Sequence, residues 1–533
     1  MDSWGIQEKY KKIIKNEARL HDFKKQADFS SVLIYPNTYF VGMSNLGFQA
    51  VYQHINSHPN FTCERAFLPE ADEELYYKNG PKKLSSIENY RPLSEFNIIA
   101  FSISYEIDYI NLLKILHYAG IPLRSKDRDN SHPLIIAGGA AITLNPQPIA
   151  DFIDLFIIGE EENILNKLLD AYSSFNDKES LLKHLSTIES FYAPKYFDGN
   201  KKIKRNYIDK LTFGTNSVFL TNDTEFKNTF LVELTRGCPY NCSFCVVGNC
   251  FNPYRAVDIE VIKEQLLFAK KFTNRAGLIS SSISNYPHLP ELADIIEEND
   301  IKVSFSSMRA DKMDENVLKI LLKSGQKTLT IAPETVSKKL KKIINKNISE
   351  EEIYNSVEMG LKRNIKNFKL YFMLGLPREN EVDIKETLDF VKNLSARLYK
   401  LNNTANVKLS VSKFIPKPFT PLQWEKFEGE ETYHEKAKLL KSGTAKLKNV
   451  QSNFESEKNA YISEIISRGD KDISFALERN FLDFDYKNFF SQTKELSFSS
   501  KYNGNFDYIL PWSILQELPL KENLWKIKEN LFK

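Results

Sequence analysis

Two stretches of the chain alternate between short apolar runs and amphipathic segments. In the first, Ser31-Val-Leu-Ile-Tyr35, Asn97-Ile-Ile-Ala-Phe-Ser-Ile103, Pro133-Leu-Ile-Ile-Ala137 and Leu155-Phe-Ile-Ile158 are continuous apolar runs, with helical periods over Gly47–Ile55 and Tyr109–Tyr118. Strands apolar on both faces and separated by helices predict a parallel sheet covered on both sides. A doubly wound, Rossmann- or flavodoxin-like domain is therefore expected over 31–189, after an N-terminal helix within 1–30. Such domains bind ligands beyond the carboxyl ends of their strands. A polar, turn-rich stretch with Gly199 and Gly214 predicts a linker over 190–228.

The second alternation runs through Phe230-Leu-Val-Glu-Leu234, Gly277-Leu-Ile-Ser280, Ile301-Lys-Val-Ser-Phe305, Thr328-Leu-Thr-Ile331, Phe368-Lys-Leu-Tyr-Phe-Met373 and Val407-Lys-Leu-Ser-Val411. About six βα units predict a partial or complete TIM-type α/β barrel over 229–425, whose chemistry sits at the carboxyl ends of its strands. From about Gly429 the chain is helix- and lysine-rich, with Trp512 and Trp525, and a small helical C-terminal domain is expected over 426–533. The fold class is α/β.

Composition narrows the field. With 533 residues, 42% hydrophobic and 26% charged, the chain is neither disordered nor fibrous. Its 72 Lys+Arg against 69 Asp+Glu give a net charge of +3, so nucleic acid is neither implied nor excluded. The N-terminus alternates charged and apolar residues and has no signal-peptide core. The longest apolar run, Leu134 to Leu144, contains two glycines and falls short of the roughly 20 residues of a membrane span. A cytoplasmic protein without a membrane partner is expected. Of the five cysteines, Cys238, Cys242, Cys245 and Cys250 fall within thirteen residues, which suits a metal or cluster site rather than a disulfide framework.

Arg236-Gly-Cys238-Pro-Tyr-Asn-Cys242-Ser-Phe-Cys245 is a CxxxCxxC loop placed directly after a strand. Three thiolates can hold three irons of a cubane and leave the fourth open to a bound molecule. A zinc site would need a fourth ligand, for which Cys250 is available. A small apolar role for Cys250 is the alternative, and isolated Cys63 reads as structural.

At this loop the chain resembles the radical SAM superfamily, with Phe244 in the aromatic position of its CxxxCxΦC motif. The resemblance implies that Cys238, Cys242 and Cys245 carry a [4Fe-4S] cluster whose open iron chelates S-adenosylmethionine, and that Phe244 lies near the adenine. It also implies reductive cleavage to methionine and a 5′-deoxyadenosyl radical, with an electron donor of the flavodoxin or ferredoxin type. Ser280, Ser281 and Ser282 stand where superfamily members meet the methionine amino group, without the common Gly-Gly-Glu. Ser306-Ser-Met-Arg309 offers hydroxyls and a guanidinium. Arg309 is thus a candidate for a SAM or substrate carboxylate, against a structural ion pair. Glu334 is a candidate contact to the ribose or amino group, against a helix cap. Tyr371-Phe-Met-Leu-Gly375-Leu-Pro-Arg-Glu379 resembles the adenine-lining strand and its Gly-Leu-Pro turn. Lys369 and Tyr371, alternating on one strand face, are the catalytic candidates.

The resemblance extends to both ends. Tyr35-Pro-Asn-Thr-Tyr-Phe-Val-Gly-Met-Ser-Asn-Leu-Gly47, Ala137-Gly138-Gly139, Asn145-Pro-Gln-Pro148 and Ile158-Gly-Glu160 resemble the N-terminal cobalamin-binding-type domain of one radical SAM group. Ser467-Arg-Gly-Asp470 and Leu510-Pro-Trp512 resemble the C-terminal region of an uncharacterised family in that group. Cobalamin is the further cofactor this implies, flanked by the Gly138-Gly139 turn and the Tyr39–Ser44 loop, although none of the eight histidines stands in an Asp-x-His-x-x-Gly context. With cobalamin, the implied reaction is methyl transfer to an unactivated centre. Without it, the N-terminal domain is a substrate platform and the chemistry is rearrangement or oxidation. A non-catalytic RNA-binding iron-sulfur protein is the reading from another class. The substrate, whether small molecule, peptide or nucleotide, is not legible. Methylthio transfer is rejected, because only Cys63 precedes the motif. The lysine run Lys338–Lys342 with Lys346, and His288, read as solvated surface.

Overall fold

In the computed structural model, which describes residues 3–24, 26–79, 83–305, 307–324, 327–516 and 519–533, the apolar runs of the first alternation become parallel strands. They are β1 (Phe29–Tyr35), β2 (Phe61–Phe67), β3 (Ile98–Ser102), β4 (Leu134–Gly138) and β5 (Leu155–Ile157), with β6 (Phe191–Tyr192) antiparallel to β5. The sheet order is β2-β1-β3-β4-β5-β6. This is the flavodoxin-like doubly wound order, whose switch point falls between β1 and β3. Val32, Ile34, Ile99, Leu134, Ile135 and Phe156 are wholly buried, as strands covered on both faces require.

The sequence does not signal β2. Its Thr62, Glu64 and Arg65 break the apolar run, yet Arg65 is fully buried, 2.7 Å from Glu17 and 2.6 Å from Glu88, with its guanidinium 4.0 Å above the Phe219 ring. A buried cation needs that pairing to be tolerated at all.

This sheet belongs to a unit comprising 1–209, 215–229 and 465–517. The stretch expected as a linker is largely part of it: β6 joins the sheet, and Phe219–Leu220 pairs antiparallel with Ala18–Arg19.

The second unit comprises 210–214, 230–464 and 518–533. Its strands are β7 (Phe230–Glu233), β8 (Arg275–Ile279), β9 (Lys302–Phe305), β10 (Thr328–Glu334), β11 (Asn367–Leu374), β12 (Asn406–Lys413) and β13 (Val450–Phe454). All pair in parallel as β7-β8-β9 and β10-β11-β12-β13, and a Met308–Ile331 bridge links the two sets. Alternating helices include α1 (Lys338–Ile344) after β10, α2 (Glu381–Leu401) after β11 and α3 (Glu430–Thr444) after β12. Among the described residues the barrel-type sheet thus has seven strands, and α3 and β13 carry it past residue 425.

The helical domain expected over 426–533 is shared between the units. Residues 465–517 return to the first, where the Asn145 side chain donates to Ser467 O (3.2 Å) and Gly469 O (2.7 Å). The last helix, Lys521–Leu531, returns to the second, with Trp525 edge-on to Trp424 at 5.0 Å. Among the described residues no helix is long and apolar enough to cross a membrane.

Candidate active site

Beyond β7 the chain passes through Thr235-Arg236, which pairs antiparallel with Arg255-Ala256 and closes the intervening loop at the carboxyl end of the barrel strands. Backbone contact inside this loop demands two glycines. Gly237 has φ +78°, and a Cβ there would lie 2.6 Å from Pro253 O; at Gly248 it would lie 1.8 Å from Tyr240 O. Asn249 fixes the cysteine turn by donating to Cys242 O at 2.9 Å and Cys245 O at 2.7 Å. The loop is tied to the end of α1 by Ser243 N donating to Ile344 O (2.9 Å) and by the Asn345 side chain donating to Asn241 O (2.9 Å).

None of the cysteines is in a disulfide; Cys242 is buried, and Cys238 and Cys245 are half-buried. Burial pushes the Cys242 thiol up to about 11, against the pull of the Lys346 and Arg309 cations, and burial likewise raises Cys245. Among the described residues no three His, Cys, Asp or Glu side chains converge tightly enough for a single metal ion, as zinc with Cys250 for its fourth ligand would need. A cubane asks less, because each thiolate binds a different iron. The donor set fits one: three thiols on one clamped loop, facing two cations. Within the loop the buried Tyr240 and Ser243 hydroxyls also lack a hydrogen-bond partner, as expected beside a group that brings its own acceptors.

The other predicted residues lie around this loop. Phe244 packs with Met373 against Leu340, Ile343, Ile344, Leu376, Phe414 and Leu422, so it shares an apolar patch with Leu376 of the Gly-Leu-Pro turn. Gly375 has φ +83°, and its N–H donates to Glu379 at 2.7 Å. The serines after β8 brace the loop: Ser280 Oγ is 2.7 Å from Thr235 Oγ1, Ser281 donates to Gly237 O at 2.6 Å, and Ser282 bonds Asn285 at 2.8 Å. Arg309 makes a bidentate pair with Asp311 (3.0 Å each) and stacks 3.9 Å above the Tyr240 ring. Its fork is therefore engaged by a carboxylate of the chain. Ser306, from the same run, lies outside the described residues.

Glu334 has φ +68° and accepts from Lys346 Nζ at 2.9 Å rather than capping a helix. The lysine run is accordingly not uniformly solvated: Lys341 and Lys346 are buried, and Lys339 pairs with Asp383 at 2.6 Å. Lys369 and Tyr371 lie half-buried on one face of β11, with Lys369 Nζ donating to Tyr371 Oη at 2.7 Å. Thr330 and Lys408 share the register of Lys369, and Ser410 that of Tyr371, which makes that face polar. Sequence reasoning missed Asn249 and Asn345, which only their nearness in sequence to the cysteine loop or the lysine run marked, and it read the buried Lys346 as solvated surface.

In the first unit, Gly138 ends β4 and Gly139 follows it, one strand away from the switch point. The glycine requirement at Gly139 is internal, since a Cβ there would lie 2.4 Å from Ile103 O. At the switch point itself Asn37 donates to Asp108 (2.8 Å) and Asn45 to Ser104 (3.0 Å), while Phe40, Val41 and Tyr105 stand about 40% exposed. An apolar surface with a polar floor suits a broad, amide-rimmed ligand such as a corrin.

Residues 47–194 match the N-terminal region of radical SAM proteins, and residues 232–391 match the radical SAM superfamily. Over 488 residues the chain is 29% identical to an uncharacterised protein of Methanocaldococcus jannaschii, spanning 89% of this chain and 96% of that one. It is 26% identical over 271 residues to the bacteriochlorophyllide d C-8(2)-methyltransferase of Chlorobaculum tepidum, spanning 48% of this chain and 56% of the relative. Among solved structures, the radical S-adenosylmethionine methyltransferase TsrM from Kitasatospora setae, with tryptophan substrate and a SAM analogue bound, aligns at 14% identity and a TM-score of 0.49, over 74% of this chain and 75% of that one.

Proposed function

We propose, from the premise that the chain belongs to the radical SAM superfamily, that it is an enzyme in which Cys238, Cys242 and Cys245 hold a [4Fe-4S] cluster for radical methyl transfer to an unactivated centre. The observation that carries this reading is the three-thiol loop, clamped by Asn249 at the carboxyl end of a parallel barrel. Such a cluster, when bound, supplies one electron to the sulfonium of S-adenosylmethionine, giving methionine and a 5′-deoxyadenosyl radical. The chain's own part is placement and exclusion. Gly237 and Gly248 let the loop fold back on itself, Arg309 and Lys346 offset the thiolate charge, and Phe244 with Leu376 walls the site from water.

The Lys369 ammonium takes a lone pair of the Tyr371 oxygen, which leaves the phenol O–H as the donor on that face of β11. Tyr371 is proposed to hold or donate a proton to the substrate there. The substrate hydrogen would leave on the 5′-deoxyadenosyl radical as 5′-deoxyadenosine, and cobalamin, if held at the first unit's switch point, would supply the methyl group that replaces it; the name of the Chlorobaculum relative supports methyl transfer rather than rearrangement. An external one-electron donor of the flavodoxin or ferredoxin type is required.

The test is anaerobic reconstitution with iron, sulfide and hydroxocobalamin, followed by S-adenosylmethionine and dithionite. 5′-Deoxyadenosine with corrin absorbance retained after desalting is the expected result. Deoxyadenosine without corrin would leave the first unit as a substrate platform. No deoxyadenosine from an iron-loaded wild type, or the same yield from Cys242→Ala, would refute the assignment of the cluster.

A further inference from the structure

The opposite end of the barrel carries a cationic surface that the thiol loop does not use. The segments 316–333, 359–378, 391–424 and 436–454, which contain most of β10 and all of β11, β12 and β13, include no Asp or Glu. Parallel pairing brings the amino ends of these strands to one rim. Lys366 immediately precedes β11, Lys408 is the third residue of β12 and in register with Lys369, and Lys448 lies two residues before β13.

A cavity of about 520 Å³ opens there, lined by Lys369, Lys408 and Lys448 together with Asn367, Asn406 and Gln451. Among the described residues Lys366, Lys408 and Lys448 are exposed and without an ion-pair partner. Three lysines on the helices of the same unit are paired: Lys319 with Asp294, Lys385 with Glu381 and Lys392 with Asp389, each within 2.8 Å. At the same end of the barrel, where α2 runs out before β12, Tyr399 stands 58% exposed.

The arrangement of the charges selects the ligand. Neighbouring strands are about 4.8 Å apart, so the lysines at the rim of β11 to β13 spread over roughly 10 Å instead of converging on a point. A single phosphate would meet two of them at most, whereas a phosphodiester strand meets them in turn. Amide side chains and an exposed aromatic ring beside such a track suit the edges and faces of unpaired bases. We propose that the amino-end rim of the barrel binds a single-stranded nucleic acid. With β11 and β12 each eight residues long, the track lies about 17–26 Å from the carboxyl ends of the strands. It is a docking surface apart from the thiol loop, and Lys369, which lines its cavity, also donates to Tyr371.

The test is fluorescence anisotropy of the full chain with labelled oligouridylate and oligothymidylate at about 50–200 mM salt. Wild type is expected to bind at the low end and to weaken steeply with salt. Lys408→Gln with Lys448→Gln should weaken binding at least tenfold and reduce the log–log salt slope by about 1.4, at roughly 0.7 for each phosphate of a single strand that is no longer neutralised. Tyr399→Ala should cost at least fivefold. The pair Lys385→Gln and Lys392→Gln, on a paired helix face, should bind as wild type, and Cys242→Ala should leave binding intact. Tighter binding of one oligomer assigns RNA or DNA, and equal binding assigns the chemistry they share. Absence of binding at low salt, equal losses in both lysine pairs, or stronger rim-dependent binding to phosphatidylserine vesicles overturns the proposal.

Discussion

At Gly139 the backbone has φ +113° and ψ −179°, a region that only glycine enters freely, and a Cβ would meet the Ile103 carbonyl oxygen at 2.4 Å. Both costs fall on the fold of the first unit. Gly139→Ala should therefore lower stability by about 2–4 kcal/mol, read as a drop in the melting temperature of the apo chain. Asp108 gives a pH-dependent counterpart. Burial pushes its carboxyl up to about 6, although Asn37 and Asn111 donate to it. A carboxyl whose folded pKa lies above its unfolded value, near 3.9, favours the native state fully below that value and loses the contribution as pH rises through about 6. Asp108→Asn keeps an acceptor for both donors and removes the buried charge. It should be more stable than wild type at pH 7, by no more than about 3 kcal/mol at 1.36 kcal/mol per unit, and lose that advantage near pH 4 in paired denaturant titrations. The cysteines were legible because spacing is a property of the chain itself. Whether Arg309 meets a ligand or Asp311, and whether Glu334 caps a helix or meets Lys346, is decided by φ angles and neighbours that the spacing does not encode.

Between elements, the turn after β11 is secured from behind by a charge network. Glu379 accepts from Gly375 N, and Lys436 on α3 lies 3.2 Å from Glu379 and also bonds Glu428. Burial raises the Glu379 carboxyl to about 7 even with the lysine beside it. Lys436→Met would leave the buried Glu379 and the half-buried Glu428 facing each other, and breaking a buried pair from one side costs about 3–5 kcal/mol. The deficit should be larger at pH 8 than at pH 5, because a carboxylate with a raised folded pKa loses stability as pH rises. Lys436→Met combined with Glu379→Gln and Glu428→Gln should recover much of the loss in urea unfolding, since it removes the charges together. Strands flanked by helices and built of continuous apolar residues, such as β3 and β4, were legible from pattern alone. β2 was not, because Glu64 and Arg65 interrupt it and are accommodated only through distant partners. β13, Val-Gln-Ser-Asn-Phe, is polar at its centre and only partly buried, so it reads as loop until β12 pairs with it.

Over the whole molecule, chain order and spatial order part company after Glu464. The segment 465–517 belongs to the first unit, where Arg124 pairs with Glu478 at 2.6 Å and Trp512 is fully buried. Two sequence signatures far apart in the chain turn out to be one contact, since Asn145 of Asn-Pro-Gln-Pro donates to the carbonyls of Ser467 and Gly469 in Ser-Arg-Gly-Asp. No local pattern reveals this, because a single buried amide selects its partner across more than 300 residues, and helix periodicity in 465–517 is equally compatible with a free-standing domain. The two arrangements predict different behaviour on truncation. If 465–533 were autonomous, a chain ending at Glu464 would keep the amide protection of β4 and of Asn145. In the observed arrangement the Asn145 amide loses both acceptors, Arg124 loses Glu478, and a buried donor without its partner costs about 1–3 kcal/mol. Hydrogen exchange of the truncated chain should therefore speed up across β4 and the Asn145 turn. Strands β2 and β1, which lie beyond β3 from β4 in the sheet order, should lose protection only to the extent that the first unit unfolds as one cooperative body.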